Sequence, residues 1–397
     1  MMPLWQHERH ESLRTMRWQE QRARDLIERI VSDTESHAGP WPNHPLDGAD
    51  PAPRHELYGG ACGVIWALHH LQQRGAVKLA NALQSAQVLR LLEPNRALMG
   101  HSQGAFGAYL MGDTSLRMVA FAIAPDDTQA AAIAHLVEAT VDHPARELMW
   151  GSPGTMLAAL FMQRRTGEAR WTSLFRKTAE KLASQLLWSQ EEGCHYWDQD
   201  LYGQISTYLD GVHGFAATAS VLRQGRDLLA PDQARTWEER IAATMGRTAE
   251  WEDGLANWRN QLTRPRGGSK LMQYCHGAPG YVICLAGFPG PALDDTLLAA
   301  GEAIWQAGPL CKGSNLCHGT GGNGYAFLKL HTRFGGTRWL DRARAFAMHS
   351  IVQAEDALAE HGQWRFSLWT GDLGLAIYLL DCIEARDRFP TLDCFFD

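Results

Sequence analysis

Apolar positions along the chain fall into two alternating patterns. Segments 64–73, 155–164, 215–223, 325–333 and 375–384 are apolar nearly all round, the signature of buried helices. Between them lie amphipathic stretches. Over 171–188, Trp171, Leu174, Phe175, Ala179, Leu182, Leu186 and Leu187 recur at three- and four-residue steps, with Arg176, Lys177, Glu180 and Lys181 between them. Segment 342–360 follows the same rule, and 14–32 predicts one more helix packed on the outside. The alternation of β-branched residues that would mark strands is absent.

A short glycine motif, Gly-x-x-Gly, leads into each apolar segment. Its copies are Gly60 to Gly63, His101 to Gly104 (with His in first place), Gly151 to Gly154, Gly211 to Gly214, Gly277 to Gly280, Gly319 to Gly322 and Gly371 to Gly374. The repeating unit is therefore one buried helix plus one amphipathic helix. Stacked in an open solenoid, the buried helices would keep one wet face; closed into a ring they would not. The pattern predicts an all-α fold, an α/α toroid of about seven helix pairs. The glycines would start the inner helices, where backbones crowd near the barrel axis and a missing Cβ permits close approach. No linker divides the chain, so 1–397 reads as one domain, with 1–53 an N-terminal helix and Pro-rich loop packed on it.

Composition narrows the function. With 45% hydrophobic and 20% charged residues the chain is neither disordered nor fibrous. A formal net charge of -7 argues against a general nucleic-acid binder. No apolar run reaches the ~18 residues of a membrane span, and the polar N-terminus lacks a signal-peptide core, so a cytoplasmic location is expected. Eight cysteines in such a chain point to metal binding or catalysis more than to disulfides.

Two of those cysteines carry the chemistry. Cys275-His276 and Cys317-His318 directly precede the fifth and sixth glycine motifs. Cys and His are preferred zinc ligands, and a toroid sets equivalent positions of neighbouring repeats side by side at one mouth. Four ligands would make a closed structural site; three would leave a position open for substrate, and spacing alone allows both. His213, in Gly211-Val212-His213-Gly214, should face the same mouth and is the best candidate proton donor. Glu147 lies four residues before Gly151, and Glu56 has the same offset in the first copy, so the offset alone assigns no role. Lys312, five residues before Cys317, and Arg264 and Arg266 in the loop 257–270 are candidate contacts for an anionic substrate. The remaining histidines and cysteines read as structural.

The CHGAPG and CHGTGG motifs on a sevenfold glycine repeat resemble the lanthionine synthetase C-like family over essentially the whole chain, including the Arg388-Phe389-Pro390 tail. Phe366-Ser367-Leu368 resembles its eukaryotic-type, stand-alone branch. The resemblance implies a zinc ion at the barrel mouth held by Cys275, Cys317 and His318, with the fourth position open to a thiol and His276 a neighbour. It assigns His213 to the catalytic histidine position, Glu147 to an acidic position and Lys312 to the offset of a lysine in the glutathione-binding branch. The implied reaction is Michael addition of a thiol, from a peptide cysteine or glutathione, to dehydroalanine or dehydrobutyrine. Implied partners are a peptide or protein containing dehydroamino acids, glutathione, and a separate dehydratase or kinase. Two other classes compete: a non-catalytic scaffold binding zinc and glutathione or a peptide, and a carbohydrate-processing α/α-toroid enzyme. The latter needs two carboxylates flanking a sugar, and the motifs offer no convincing pair.

Overall fold

The structure, a computed structural model, describes residues 3–14, 17–37, 40–99, 105–268 and 270–396. Helices α1 (Glu20–Ser36), α2 (Ala61–Gln73), the short α3 (Ser85–Leu89) and α4 (Leu92–Met99), α5 (Asp113–Ile123), α6 (Asp127–Thr140), α7 (Ser152–Thr166) and α8 (Ala169–Ser184) come first. Two antiparallel ribbons follow: β1 (Leu187–Ser189) with β2 (Cys194–Tyr196), and β3 (Gln199–Leu201) with β4 (Gln204–Ser206). Then come α9 (Phe215–Gln224), α10 (Pro231–Thr248) and a third ribbon, β5 (Glu250–Glu252) with β6 (Leu255–Asn257). The chain ends with α11 (Ala278–Leu285), α12 (Asp294–Ala307), α13 (Thr320–Phe334), α14 (Thr337–His361) and α15 (Asp372–Glu384).

Helices α2, α5, α7, α9, α11, α13 and α15 form the inner ring. Each touches the next in chain order, and α15 touches α2, so the ring closes. Helices α6, α8, α10, α12 and α14 lie outside, each against the inner helix before it, and α1 covers α14 and α15. This is the α/α toroid that the pattern predicts. Burial follows the two patterns. In α7 every residue from Ser152 to Met162 is buried, whereas α8 buries only Trp171, Phe175, Thr178, Ala179 and Leu182. The C-terminal tail packs into the ring: Tyr109 Oη donates to the Thr391 carbonyl (2.6 Å) and Trp66 Nε1 to that of Phe395 (3.0 Å). No described helix is long and apolar enough to cross a membrane.

Every inner helix is capped by a glycine. Gly60, Gly112, Gly151, Gly214, Gly319 and Gly371 share an extended conformation, with φ between -106° and -132°; Gly277 stands at φ 113°, which only glycine adopts readily. Three residues later a second small residue lets the chain close. At Gly322 an added Cβ would overlap the carbonyl oxygen of Leu316, six residues upstream. Gly63 stands in the same relation to Leu57, and its added Cβ would also lie 2.9 Å from Cβ of Leu368, in the last repeat. That contact is the seam of the ring.

Several details depart from the sequence pattern. The fourth helix is capped by Gly214, so Gly211 is not the first glycine of that motif; it lies against Gly280. The second inner helix is capped by Gly112, with Ser115 in the second small place, and the expected copy from His101 to Gly104 lies outside the described residues. Helix α8 stops at Ser184, and Leu187 and Trp188 enter β1. All six strands are three residues long, too short to display alternation.

Two glycine substitutions should have opposite signs. Gly322→Ala drives a methyl into a carbonyl and should lower stability by about 2–3 kcal/mol, on the scale of overpacking. Gly246 lies exposed within α10 with nothing within 4 Å of an added Cβ. Gly246→Ala should therefore raise stability by about 0.5–1 kcal/mol. Urea denaturation of both variants checks this, and equal effects would refute the close-approach account.

Candidate metal centre

The chemistry of the mouth sits on the few residues that enter each inner helix. Two places before the capping glycine stand Tyr58, Leu110, Met149, Val212, Cys275, Cys317 and Trp369. Their backbones form a chain of bonds between repeats. Cys275 N–H donates to Cys317 O (3.1 Å), Cys317 to Trp369 (3.0 Å), Trp369 to Tyr58 (3.0 Å), Tyr58 to Leu110 (3.1 Å) and Leu110 to Met149 (3.2 Å). One residue out of step, Leu148 N–H reaches Val212 O at 3.3 Å. This collar brings Cys275 and Cys317 together from separate repeats.

Ligand atoms of Cys275, Cys317 and His318 all lie within 4.8 Å of one another. Tetrahedral zinc with bonds of about 2.0–2.3 Å needs ligand separations only a little shorter, so the cluster fits the ion with small rotamer changes. Its surroundings also favour a cation. The Cys275 thiol donates to Cys317, and His318 and the Tyr58 hydroxyl add to this, so Cys317 is held well below its ordinary pKa. Cys275 is pushed up by the same bond and by burial. The shared hydrogen bond thus favours thiolate character on Cys317 over Cys275. Gln273 Nε2 donates to Cys275 Sγ at 2.9 Å, and Asn315 Oδ1 accepts the His318 N–H at 2.9 Å.

His276 is not in this cluster. Its Nδ1 lies 2.8 Å from Oδ2 of the fully buried Asp210. His213 forms a parallel pair, with Nδ1 2.9 Å from Oε2 of the fully buried Glu147. Histidines 213, 276 and 318 all stand immediately before a capping glycine. Each of the first two reaches back to an acid four places before the cap of the preceding repeat. The acids are fixed in turn by backbone donors. Asp210 Oδ1 accepts from Val212 N (3.0 Å) and His213 N (2.8 Å), and Glu147 accepts from Met149 N (2.8 Å) and Trp150 N. Burial opposes a charged His213, but the hydrogen bond and charge of Glu147, with Asp210 behind, raise its pKa to about 9. His276 is raised for similar reasons, Asp210 outweighing burial.

Sequence reasoning missed Asp210, Asn315 and Tyr58. The signal was present for two of them: Asp210 and Asn315 share the offset of Glu147 and Glu56, four before a capping glycine. Taking Gly211 as the start of the fourth motif hid that offset.

Lys312 lines a cavity of about 420 Å³ that includes His318. Its neighbours Arg14 and Arg365 are paired, with Glu11 and Asp356, and with Asp47; Lys312 has no ion pair among the described residues. The basic loop is elsewhere. Arg264 and Arg266 line a separate pocket, where Arg266 is paired with Glu192. Arg259 and Lys270 are buried against Glu192 and Glu250. The structure therefore brings Lys312, but neither Arg264 nor Arg266, to the cavity of His318.

Metal content tests the cluster. Cys275→Ala and Cys317→Ala should each lose zinc, read by elemental analysis, while circular dichroism stays helical because the ring core is apolar. His276→Ala should keep its zinc, since that side chain is committed to Asp210. Zinc lost in His276→Ala, or retained in Cys317→Ala, contradicts the three-ligand set.

Residues 2–394 match the family model described as lanthionine synthetase C-like protein. The chain is 36% identical over 132 residues to glutathione S-transferase LANCL1 of Danio rerio, a stretch that is 31% of either protein. It is 32% identical over 130 residues to LanC-like protein GCL1 of Arabidopsis thaliana, 30% of either. The chain thus aligns with less than a third of the length of these relatives. Nisin cyclase shares the fold, with a TM-score of 0.56 over 92% of this chain and 98% of that one at 13% identity. Matched along almost its full length, and carrying paired Cys-His motifs on a ring of seven glycine-capped helices, the chain belongs to the lanthionine synthetase C-like family.

Proposed function

We propose that this protein joins a thiol to the β-carbon of a dehydroalanine or dehydrobutyrine residue, making a thioether. The observation that carries the reading is one collar holding Cys275, Cys317 and His318 on two repeats and a carboxylate-backed His213 nearby. Zinc bound there would supply a thiol already deprotonated near neutral pH, where a free thiol of pKa ~8.5 is mostly protonated.

The residues of the chain account for the rest. As sulfur bonds to the β-carbon, the alkene pair moves to the α-carbon, which then needs a proton. Glu147 engages Nδ1 of His213, so Nε2 is the nitrogen free to give that proton. Holding the ring protonated at neutral pH makes His213 a donor at rest. The proton leaving the thiol restores it, so thiol plus alkene gives thioether with no other reactant.

Glutathione is the thiol this reading favours. It carries two carboxylates and one ammonium, and the cavity that His318 lines offers Lys312 and Glu360, neither ion-paired among the described residues, to meet them. The name of the Danio rerio relative supports the same choice. The dehydrated partner would be supplied by a separate dehydratase or kinase.

His213→Asn and His213→Phe should keep zinc yet slow thioether formation by about 10²–10⁴-fold, the usual scale for a general acid. Unchanged turnover by either variant removes His213 from the reaction. Lys312→Ala should weaken glutathione use by about 1 kcal/mol, with less effect on ring closure by a cysteine in the peptide itself. The measurement is competition between the two thiols for one dehydroalanine peptide. Rings alone, with no Lys312 effect, would assign the protein to peptide cyclisation instead.

A further inference from the structure

The collar does not end at the histidines. One place before the capping glycine, the repeats carry Met111, Trp150, His213, His276 and His318 in ring order. The last three make the site described above. Met111 and Trp150 instead line a second cavity, of about 730 Å³, with Leu98, Met99 and Tyr202. The cavity of Lys312 opens at one end of this arc and the apolar cavity at the other, with His213 next in order to Trp150.

The apolar cavity has the marks of a binding surface. Leu98 is 61% exposed and Tyr202 83% exposed, unusual for such large side chains. Tyr202 is also held at φ 59°, in the turn between β3 and β4, a conformation costly for a bulky residue. That turn sets its ring 5.8 Å from the Trp150 ring at 78°, so two aromatics stand edge to face on one wall. Met99 and Met111 add flexible, polarizable side chains that adapt to different occupants. The wall is tied to the chemistry as well: the backbone N–H of Trp150 donates to Glu147, and Glu147 holds His213.

Its charge differs from that of the Lys312 cavity, where Lys312 is balanced by Glu360, both without an ion pair among the described residues. Arg54 is neutralised by Glu56, whereas Asp200 has no ion pair within 4 Å among the described residues, with His143, whose pKa burial lowers, the titratable neighbour that feels its charge. A cavity with one free cation and one free carboxylate and an apolar, acidic one thus adjoin the two ends of this arc.

We propose that the cavity of Leu98, Trp150 and Tyr202 receives the dehydroamino-acid peptide, through a large apolar residue next to the reacting position and a basic residue facing Asp200. This rests on the thioether reading for the identity of the peptide. It divides the mouth between an anionic thiol on the Lys312 side and an apolar, basic acceptor on the Trp150 side.

The test is calorimetric binding to the zinc-loaded full chain. One octapeptide carries alanine in the dehydroalanine position, flanked by Trp and Arg; its twin carries Glu at both flanks. The first should bind at least about tenfold tighter than the second, roughly 1.4 kcal/mol. Leu98→Asp and Tyr202→Ala, both at exposed positions, should each weaken the first peptide by about tenfold. Asp200→Lys should reverse the preference. Equal binding of the two peptides, or a ratio that Asp200→Lys leaves unchanged, overturns the proposal. Wild-type turnover of a small acceptor, N-acetyldehydroalanine amide, with glutathione reports separately on the thioether reading. Its failure would sink that reading while the binding ratios still decide the cavity.

Discussion

The close approach of one glycine to one carbonyl, repeated around the ring, is the constraint on which the site depends. At Gly63, Gly154, Gly280, Gly322 and Gly374 the missing Cβ makes room for the carbonyl six residues upstream. The segment between is thereby folded tightly over the start of the helix, with its backbone N–H and C=O groups turned sideways. Those groups have no helix partners and need others. They find them in the neighbouring repeats, and the collar results. The residues just before each cap are thereby held in a fixed orientation, as Cys317 and His318 are. Function becomes a matter of which residues occupy those places, on a frame that is indifferent to them.

This explains what could be read from the sequence and what could not. Uniformly apolar segments such as 155–164 announce inner helices because nothing on them faces water. The Cys-His pairs are legible because they sit in register before a glycine, and register is preserved by the frame. The fourth repeat was ambiguous for a physical reason. Gly211 and Gly214 satisfy the motif by spacing, but the cap is set by crowding against Leu209 and Asp210, and that contact places it at Gly214. The second repeat uses Ser115 where others use glycine, so glycine counting passes over it. Pairing across long separations is invisible in one dimension: Arg266 is claimed by Glu192, 74 residues away, and so is not the free cation its loop suggests.

The acids of the mouth raise the carbohydrate alternative again, since Glu147 and Asp210 are two buried carboxylates near one opening. Their environment speaks against it. Sugar hydrolysis needs one carboxyl to hand a proton to substrate and another to attack or activate water. Here each carboxylate is fully buried and already accepts two backbone N–H groups and a histidine. Neither presents an oxygen to a sugar. What they can do is hold imidazolium charge, because a buried acid bonded this way favours the protonated ring beside it.

The same offset then changes character where the thiols begin. Four places before the cap, the repeats carry Glu56, Ala108, Glu147, Asp210 and Ser367, but Gln273 and Asn315 in the two repeats of Cys275, Cys317 and His318. Charge explains the change. Asp210 already pushes the Cys275 thiol up through space, and another carboxylate at position 273 would oppose a second thiolate further. A neutral amide keeps the backbone geometry, as Asn315 does for His318, and can point a donor at sulfur, as Gln273 does for Cys275. Acids thus stand behind His213 and His276, and amides stand in the two repeats that carry the paired cysteines.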